Sequence, residues 1–211
     1  HPIIWTLHDC FSFTALCSYF EDCDKYKTHC GACPQLGSTK EKDFSYKVFD
    51  MKRQRYASLN FVIVTPSRWL AKAAAESVLL SKYPVRVIPN GLDTQVFSPK
   101  DKMEAKKSLS LQSGKKTILF GGTSAMGDPR KGGHLLKDAL KLLAETELKD
   151  QIELLIFGAE QKNGDNLEFP AKYLGYISDE DQLCEAYNAA DVMIVPSTYE
   201  NLPNTILESL S

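Results

Sequence analysis

Short apolar runs alternate with amphipathic stretches along most of the chain. Ile3 to Leu7 reads as a buried strand ending at His8-Asp9, Phe61 to Thr65 as a second, and Val85 to Ile88 as a third entered through Tyr83-Pro84. Lys42 to Leu59 has a helical period, with Phe44, Val48, Met51, Arg55 and Leu59 near one side. Ser67 is placed to cap a helix over Arg68 to Ser77. The stretch Pro89-Asn90-Gly91-Leu92-Asp93, followed by Phe97-Ser98-Pro99, has no period and many turn formers, and reads as a hinge. After a short helix around Met103 to Ser108 the alternation restarts with a strand at Thr117 to Phe120 and a loop from Gly121 to Arg130. A helix over Lys131 to Glu145 follows, with Leu135, Leu136, Ala139, Leu142 and Leu143 as its apolar stripe. Ile152 to Phe157 and Lys172 to Leu174 read as strands, Asp179 to Ala189 as a helix capped by Ser178, and Met193 to Val195 as the last strand. Strands alternating with helices of this length predict an α/β protein with parallel sheets covered on both faces, divided by the hinge into domains 1–92 and 93–211.

Composition narrows this picture. With 211 residues and 43% apolar content the chain can fill one large core or two small ones. A net charge of -2 without a basic tract interleaved with aromatics gives no reason to expect nucleic acid as a partner. No apolar run approaches the roughly 18 residues of a membrane span, and no signal peptide is visible. The chain opens in mid-strand and closes on a short helix at Ser211 without a Gly or Pro stop, so it is expected to be an internal piece of a longer protein.

Three places could carry chemistry. Ser197 to Glu208, S-T-Y-E-N-L-P-N-T-I-L-E, puts Glu200 and Glu208 on either side of Pro203, a residue suited to the first position of a helix. The amides of Asn204, Thr205 and Ile206 would then have no internal acceptors and would form an anion seat at the positive end of the helix. The loop Gly121 to Gly133, G-G-T-S-A-M-G-D-P-R-K-G-G, follows a strand and opens a helix but is neither a P-loop nor a dinucleotide fingerprint. It offers Gly121 and Gly122 for close backbone approach, and Arg130 and Lys131 to neutralise a diphosphate. Two cations at a helix start oppose its dipole, which favours a bound anion over a solvated surface pair. Taken alone, the two glutamates could equally be ordinary surface residues, and His8 a hydrogen-bonded histidine at a strand end.

The third place is Cys10 to Gly37, which has no period but holds five cysteines. Cys17, Cys23, Cys30 and Cys33 fall as C-x5-C-x6-C-x2-C, enough thiols for a tetrahedral structural zinc, though the first spacing is wide. Reduced, unliganded thiols are the alternative, and disulfides would need an oxidising compartment.

The motif S-T-Y-E-N-L-P-N-T-I-L-E-S-L resembles the E-x7-E signature of the family 4 retaining glycosyltransferases of GT-B fold, the bacterial group 1 transferases. V-T-P-S-R-W-L at 64–70, V-I-P-N-G-L-D at 87–93, R-K-G at 130–132, L-G-Y at 174–176 and N-A-A-D-V at 188–192 carry the same resemblance in order. Cys30-Gly-Ala-Cys33-Pro-Gln-Leu36 resembles the end of cysteine-rich inserts in polysaccharide-forming members. The resemblance implies two Rossmann-like domains facing a cleft, the acceptor side first and the donor side second. It also implies transfer of a sugar from a nucleoside-diphosphate sugar to a saccharide or lipid-linked saccharide acceptor in surface polysaccharide synthesis. Glu200 would contact the donor sugar, Glu208 the ribose hydroxyls, and His8 the sugar from the other domain. Arg130 and Lys131, with the amides of residues 204–206, would stabilise the departing nucleoside diphosphate. Neither retention of anomeric configuration nor the donor's identity is legible in the residues. No cofactor is required for such catalysis. The expected location is the cytoplasm, at the inner membrane face if a segment N-terminal to His1 supplies peripheral attachment. A sugar-nucleotide epimerase of the same fold, or a non-catalytic sugar-nucleotide-binding or scaffold protein, are the alternatives.

Overall fold

The computed structural model describes residues 1, 3–122, 126–161 and 167–211. The chain divides into two units, His1–Asn90 and Gly91–Ser211. The first is built on a parallel sheet of order β1-β2-β3, formed by Ile3–Thr6, Phe61–Thr65 and Val85–Val87, with Ile3 opposite Phe61 and Ile63 opposite Val85. The β2 run F-V-I-V-T is apolar at nearly every position because helices cover both faces of such a sheet, so it does not alternate. Helix α1 (Phe44–Tyr56) leads into β2, and α2 (Arg68–Glu76) crosses from β2 to β3. Ser67 caps α2 as expected, its side chain accepting from Leu70 N–H.

The buried face of α1 differs from the expected one. Phe44 and Met51 are exposed, whereas Ser45, Phe49 and Lys52 are buried. The cysteine-rich segment decides this, because it folds back as part of the core: Cys10, Phe13, Ala15, Tyr26 and Cys30 cluster with Phe49, Ile63, Leu70 and Leu80. Lys52 Nζ donates to Phe11 O (2.5 Å) and Thr14 O (3.1 Å) and lies 3.9 Å from the Phe11 ring centre. Two carbonyls and a ring face satisfy an ammonium that would otherwise be too costly to bury. At the start of α1, Asp43 accepts from Tyr46 N–H, Ser45 Oγ and Cys33 N–H. Those donors, Ser45 first and Cys33 next, hold its carboxyl well below the ordinary range and tie the helix to the segment's last cysteine.

The second unit holds a parallel sheet of order β6-β5-β4-β7, from Ala171–Tyr173, Ile152–Phe157, Lys116–Gly121 and Val192–Ile194. Helices α3 (Lys102–Ser108), α4 (Gly133–Ala144), α5 (Glu180–Ala189) and α6 (Asn204–Ser209) accompany it. Asp101 caps α3. The α5 cap is Asp179 rather than Ser178: its carboxylate accepts from Asp181 and Gln182 N–H, and a charged acceptor suits a helix N-terminus. On α4 the core side is Leu136 and Leu140, while Leu135 and Leu142 are exposed, so the expected stripe is rotated.

Asp191 ties α3 to β4. It pairs with Lys102, Lys106 and Lys116 and accepts from Thr117 N–H at 2.9 Å. Burial pushes its carboxyl up, but the Thr117 amide and the Lys106 and Lys102 ammoniums outweigh that and hold it well below the ordinary range. Among the described residues no helix is long and apolar enough to cross a membrane.

Candidate functional site

Chain order and sheet order diverge at β4 in the second unit. Successive strands β4, β5 and β6 run to one side, and β7 returns to the other flank of β4. The carboxyl ends of β4 and β7 therefore border a topological switch point, where open parallel sheets bind ligands. The loop after β4 and the loop after β7 meet there. Thr198 N–H donates to Arg130 O at 2.9 Å, joining the two across nearly seventy residues of sequence.

Local chemistry sets the first loop. Residues Pro129–Lys131 form a single 3-10 turn that starts at Pro129 and stops at Gly132, whose φ of +74° the helix cannot continue. Helix α4 begins only at Gly133, so Lys131 lies in the turn and not in the helix. A side chain at Gly132 would place Cβ 2.2 Å from Pro196 O, so glycine there permits the turn to lie against the β7 exit. Asp128 caps the turn, accepting from Arg130 N–H (2.9 Å) and from Arg130 Nη2 (3.0 Å). Thr123, Ser124 and Ala125, which belong to the same expected loop, lie outside the described residues.

Glu200 is the meeting point. Lys131 Nζ stands 2.6 Å and Arg130 Nη1 3.3 Å from Glu200 Oε1, and Arg130 Nη1 also donates to Tyr199 O at 3.0 Å. The Glu200, Lys131 and Arg130 side chains are only 17%, 24% and 26% exposed, so water screens these pairs less than it would at an open surface. The anion demanded by two adjacent cations is thus supplied within the chain by Glu200 and Asp128. Both cations bond Glu200 Oε1, and Glu200 Oε2 accepts no hydrogen bond from any described residue.

Glu208 is held separately. Tyr187 Oη donates to Glu208 Oε2 at 2.6 Å, and burial first, then this carboxylate, push the phenol above its ordinary range. Tyr187 is partly buried and packs against Phe97 and Phe157, so the carboxylate is oriented by a side chain that cannot move freely. Pro203 is the N-cap of α6 and not its first residue, since its ψ of 125° is extended. Ile206 N–H bonds Pro203 O at 3.1 Å, which removes it from the expected anion seat and leaves Asn204 and Thr205 in the first turn. Gly121 ends β4 with its α-carbon against the Phe157 ring. Gly122, at φ +139°, has open space beside it, and Gly158 at φ +73° packs against the Gly122 carbonyl.

His8 belongs to the first unit, exposed just past β1, in a turn where Asp9 accepts from Phe11 N–H. Cys17, Cys23, Cys30 and Cys33 are free thiols, and among the described residues no group of three or more His, Cys, Asp or Glu side chains is placed to hold a metal ion. Cys30 is a core residue, and burial pushes its thiol up to about 11.

The motifs assign no role to Asp128, Gly132, Gly158 and Tyr187. The D-P pair before R-K was a turn-cap signal for Asp128. Nothing local marked Tyr187, because its partner is twenty-one residues away on another helix.

A family model described as "Glycosyl transferases group 1" matches residues 115–211. The chain is 26% identical over 217 residues to the "Putative colanic acid biosynthesis glycosyl transferase WcaC" of Escherichia coli K12, covering 99% of this chain and 49% of that protein. Among solved structures it is similar to the sucrose-phosphate synthase of Thermosynechococcus elongatus, with a TM-score of 0.60 and 21% identity over 86% of this chain and 46% of that one. It is also similar to Anabaena Alr3699/HepE in complex with UDP and glucose, with a TM-score of 0.61 and 18% identity over 99% of this chain and 50% of that one. The fold is that of GT-B glycosyltransferases. The chain spans about half the length of the relatives it matches, or less.

Proposed function

We propose, from the match of residues 115–211 to the group 1 glycosyl transferases, that the whole protein transfers a sugar from a nucleoside-diphosphate sugar to a saccharide or lipid-linked saccharide in surface polysaccharide synthesis. The observation that carries this reading is the gathering of Arg130, Lys131 and Glu200 at the carboxyl edge of β4 and β7. Two part-buried cations beside a carboxylate with one unbonded oxygen match a diphosphate with a sugar on one side. As the glycosidic bond breaks, negative charge grows on the departing phosphate. Arg130, Lys131 and the Asn204 and Thr205 amides are the groups to stabilise it. Asp128 positions Arg130 by holding one edge of its guanidinium.

Glu208, oriented by Tyr187, is the acceptor for two ribose hydroxyls, and Glu200 Oε2 the acceptor for a sugar hydroxyl. The reaction is a same-face substitution through an oxocarbenium-like state in which the leaving phosphate helps deprotonate the acceptor. Retention of configuration follows from that route, and a sugar trapped covalently on Glu200 would overturn it. A part for His8 rests on the resemblance alone. The protein acts in the cytoplasm.

Structural zinc at Cys17, Cys23, Cys30 and Cys33 rests on their spacing alone. Binding zinc would require their side chains to rearrange. One equivalent in protein purified without chelator supports that reading, and its absence removes it.

The deciding experiment offers a panel of UDP- and GDP-sugars to the full-length protein with saccharide acceptors. Release of nucleoside diphosphate with a lengthened saccharide supports transfer. Epimer formation, or saturable binding without product, replaces it with one of the two alternatives.

A further inference from the structure

The two cations assigned to the diphosphate are already engaged. Lys131 Nζ lies 2.6 Å from Glu200 Oε1, and among the described residues Glu200 is the ammonium's only partner. The charges of Arg130 and Lys131 are cancelled within the cluster by Glu200 and Asp128. A diphosphate arriving here meets a locally neutral site, and it gains Lys131 only by taking it from a carboxylate.

We propose that Glu200 is a built-in competitor of the diphosphate, one that separates the sugar-bearing donor from the sugar-free product. This inference rests on the phosphate-site reading of the preceding subsection. When Lys131 turns to phosphate oxygens, Glu200 is left as a carboxylate only 17% exposed with a cation withdrawn. That is costly unless hydroxyl donors reach it. A nucleoside-diphosphate sugar brings those hydroxyls to Glu200, so the exchange is compensated. A nucleoside diphosphate without its sugar brings none, so Glu200 recaptures Lys131 and the product is expelled. Glu200 thereby weakens product binding more than donor binding, and links departure of the sugar to release of the diphosphate. No covalent step is involved: the exchange moves one ammonium between two anions.

Isothermal titration of the full-length protein with UDP, GDP, ADP and dTDP tests the proposal through the nucleotide that binds. Glu200→Gln keeps the side chain's shape and removes its charge. It should bind that nucleoside diphosphate on the order of tenfold more tightly than wild type, what about 1.4 kcal/mol produces. The preference of wild type for the matching sugar nucleotide over the bare diphosphate should shrink by a similar factor. The gain should diminish in a Lys131→Gln background, because there is no ammonium left to release. Equal or weaker diphosphate binding by both Glu200→Gln and Glu200→Ala overturns the proposal while leaving the phosphate site standing. If no nucleotide binds wild type, or Lys131→Gln does not weaken binding, the phosphate-site reading itself is wrong and the competitor falls with it.

Discussion

Gly132 offers the sharpest test of how the cation turn is held. At φ +74° an alanine is strained by roughly 1–2 kcal/mol whatever surrounds it. Its Cβ would also lie 2.2 Å from Pro196 O and 2.7 Å from Pro196 C, and both are backbone atoms that cannot rotate away. Reaching ordinary contact needs a shift of about 1 Å, and overpacking of this kind costs about 1–3 kcal/mol. Gly175 isolates the two effects, since it has φ +65° and nothing within 4 Å of the added carbon. Gly175→Ala should therefore lose about 1–2 kcal/mol by backbone strain alone, and Gly132→Ala about 2–5 kcal/mol in all. Urea denaturation followed by far-UV circular dichroism measures both. Fluorescence serves as an internal control, because both tryptophans, Trp5 and Trp69, belong to the first unit. Gly132→Ala should further weaken nucleotide binding, as it pushes Arg130 and Lys131 off the Pro196 to Thr198 segment, whereas Gly175→Ala should not. Equal losses in stability and binding for the two variants would refute the close approach as the reason for glycine at 132.

Other consequences can be checked independently. Tyr187→Phe removes the hydrogen bond that orients Glu208. Steady-state kinetics with the donor found in the sugar-nucleotide panel should show KM rising roughly tenfold, about 1.4 kcal/mol, with kcat little changed. Asp191→Asn leaves Lys106, whose side chain is 5% exposed, without its anion, and urea denaturation should show a loss of about 2–3 kcal/mol. Because the Asp191 carboxyl is held below its ordinary value, its contribution is present above about pH 4 and disappears as pH falls through the folded value. Wild type should accordingly lose stability in acid more steeply than Asp191→Asn. Burial lowers the Lys52 ammonium from 10.5 to about 8. Between those values the folded chain binds fewer protons there than the unfolded one, so wild type should gain stability relative to Lys52→Met as pH rises from about 8 toward 10.5.

How far the residues themselves carried the fold varies by element. The strands at 61–65, 116–121 and 152–157 were legible because a strand covered on both faces must be apolar almost throughout. The Ser67 cap of α2 was equally local. The buried faces of α1 and α4 were not. Leu135, Leu136, Leu140, Leu142 and Leu143 surround much of α4, so periodicity leaves several faces open, and contact with the sheet selected Leu136 and Leu140. On α1 the selection ran against hydrophobicity, burying Lys52 because the carbonyls of Phe11 and Thr14, about forty residues earlier, arrive to receive it.

The candidate site divides along the same line. Arg130, Lys131, Glu200 and Glu208 could be named from motif and position, since the chemistry of a diphosphate and of vicinal hydroxyls asks for those groups near helix starts. That Glu200 holds both cations could not. It depends on β7 returning to the flank of β4, which brings residues 70 apart in sequence within 3.3 Å, and no local pattern encodes which edge of a sheet a strand will join. Side-chain chemistry is written residue by residue, whereas the pairing of charges is settled by strand order, loop closure and the packing of one glycine against one carbonyl.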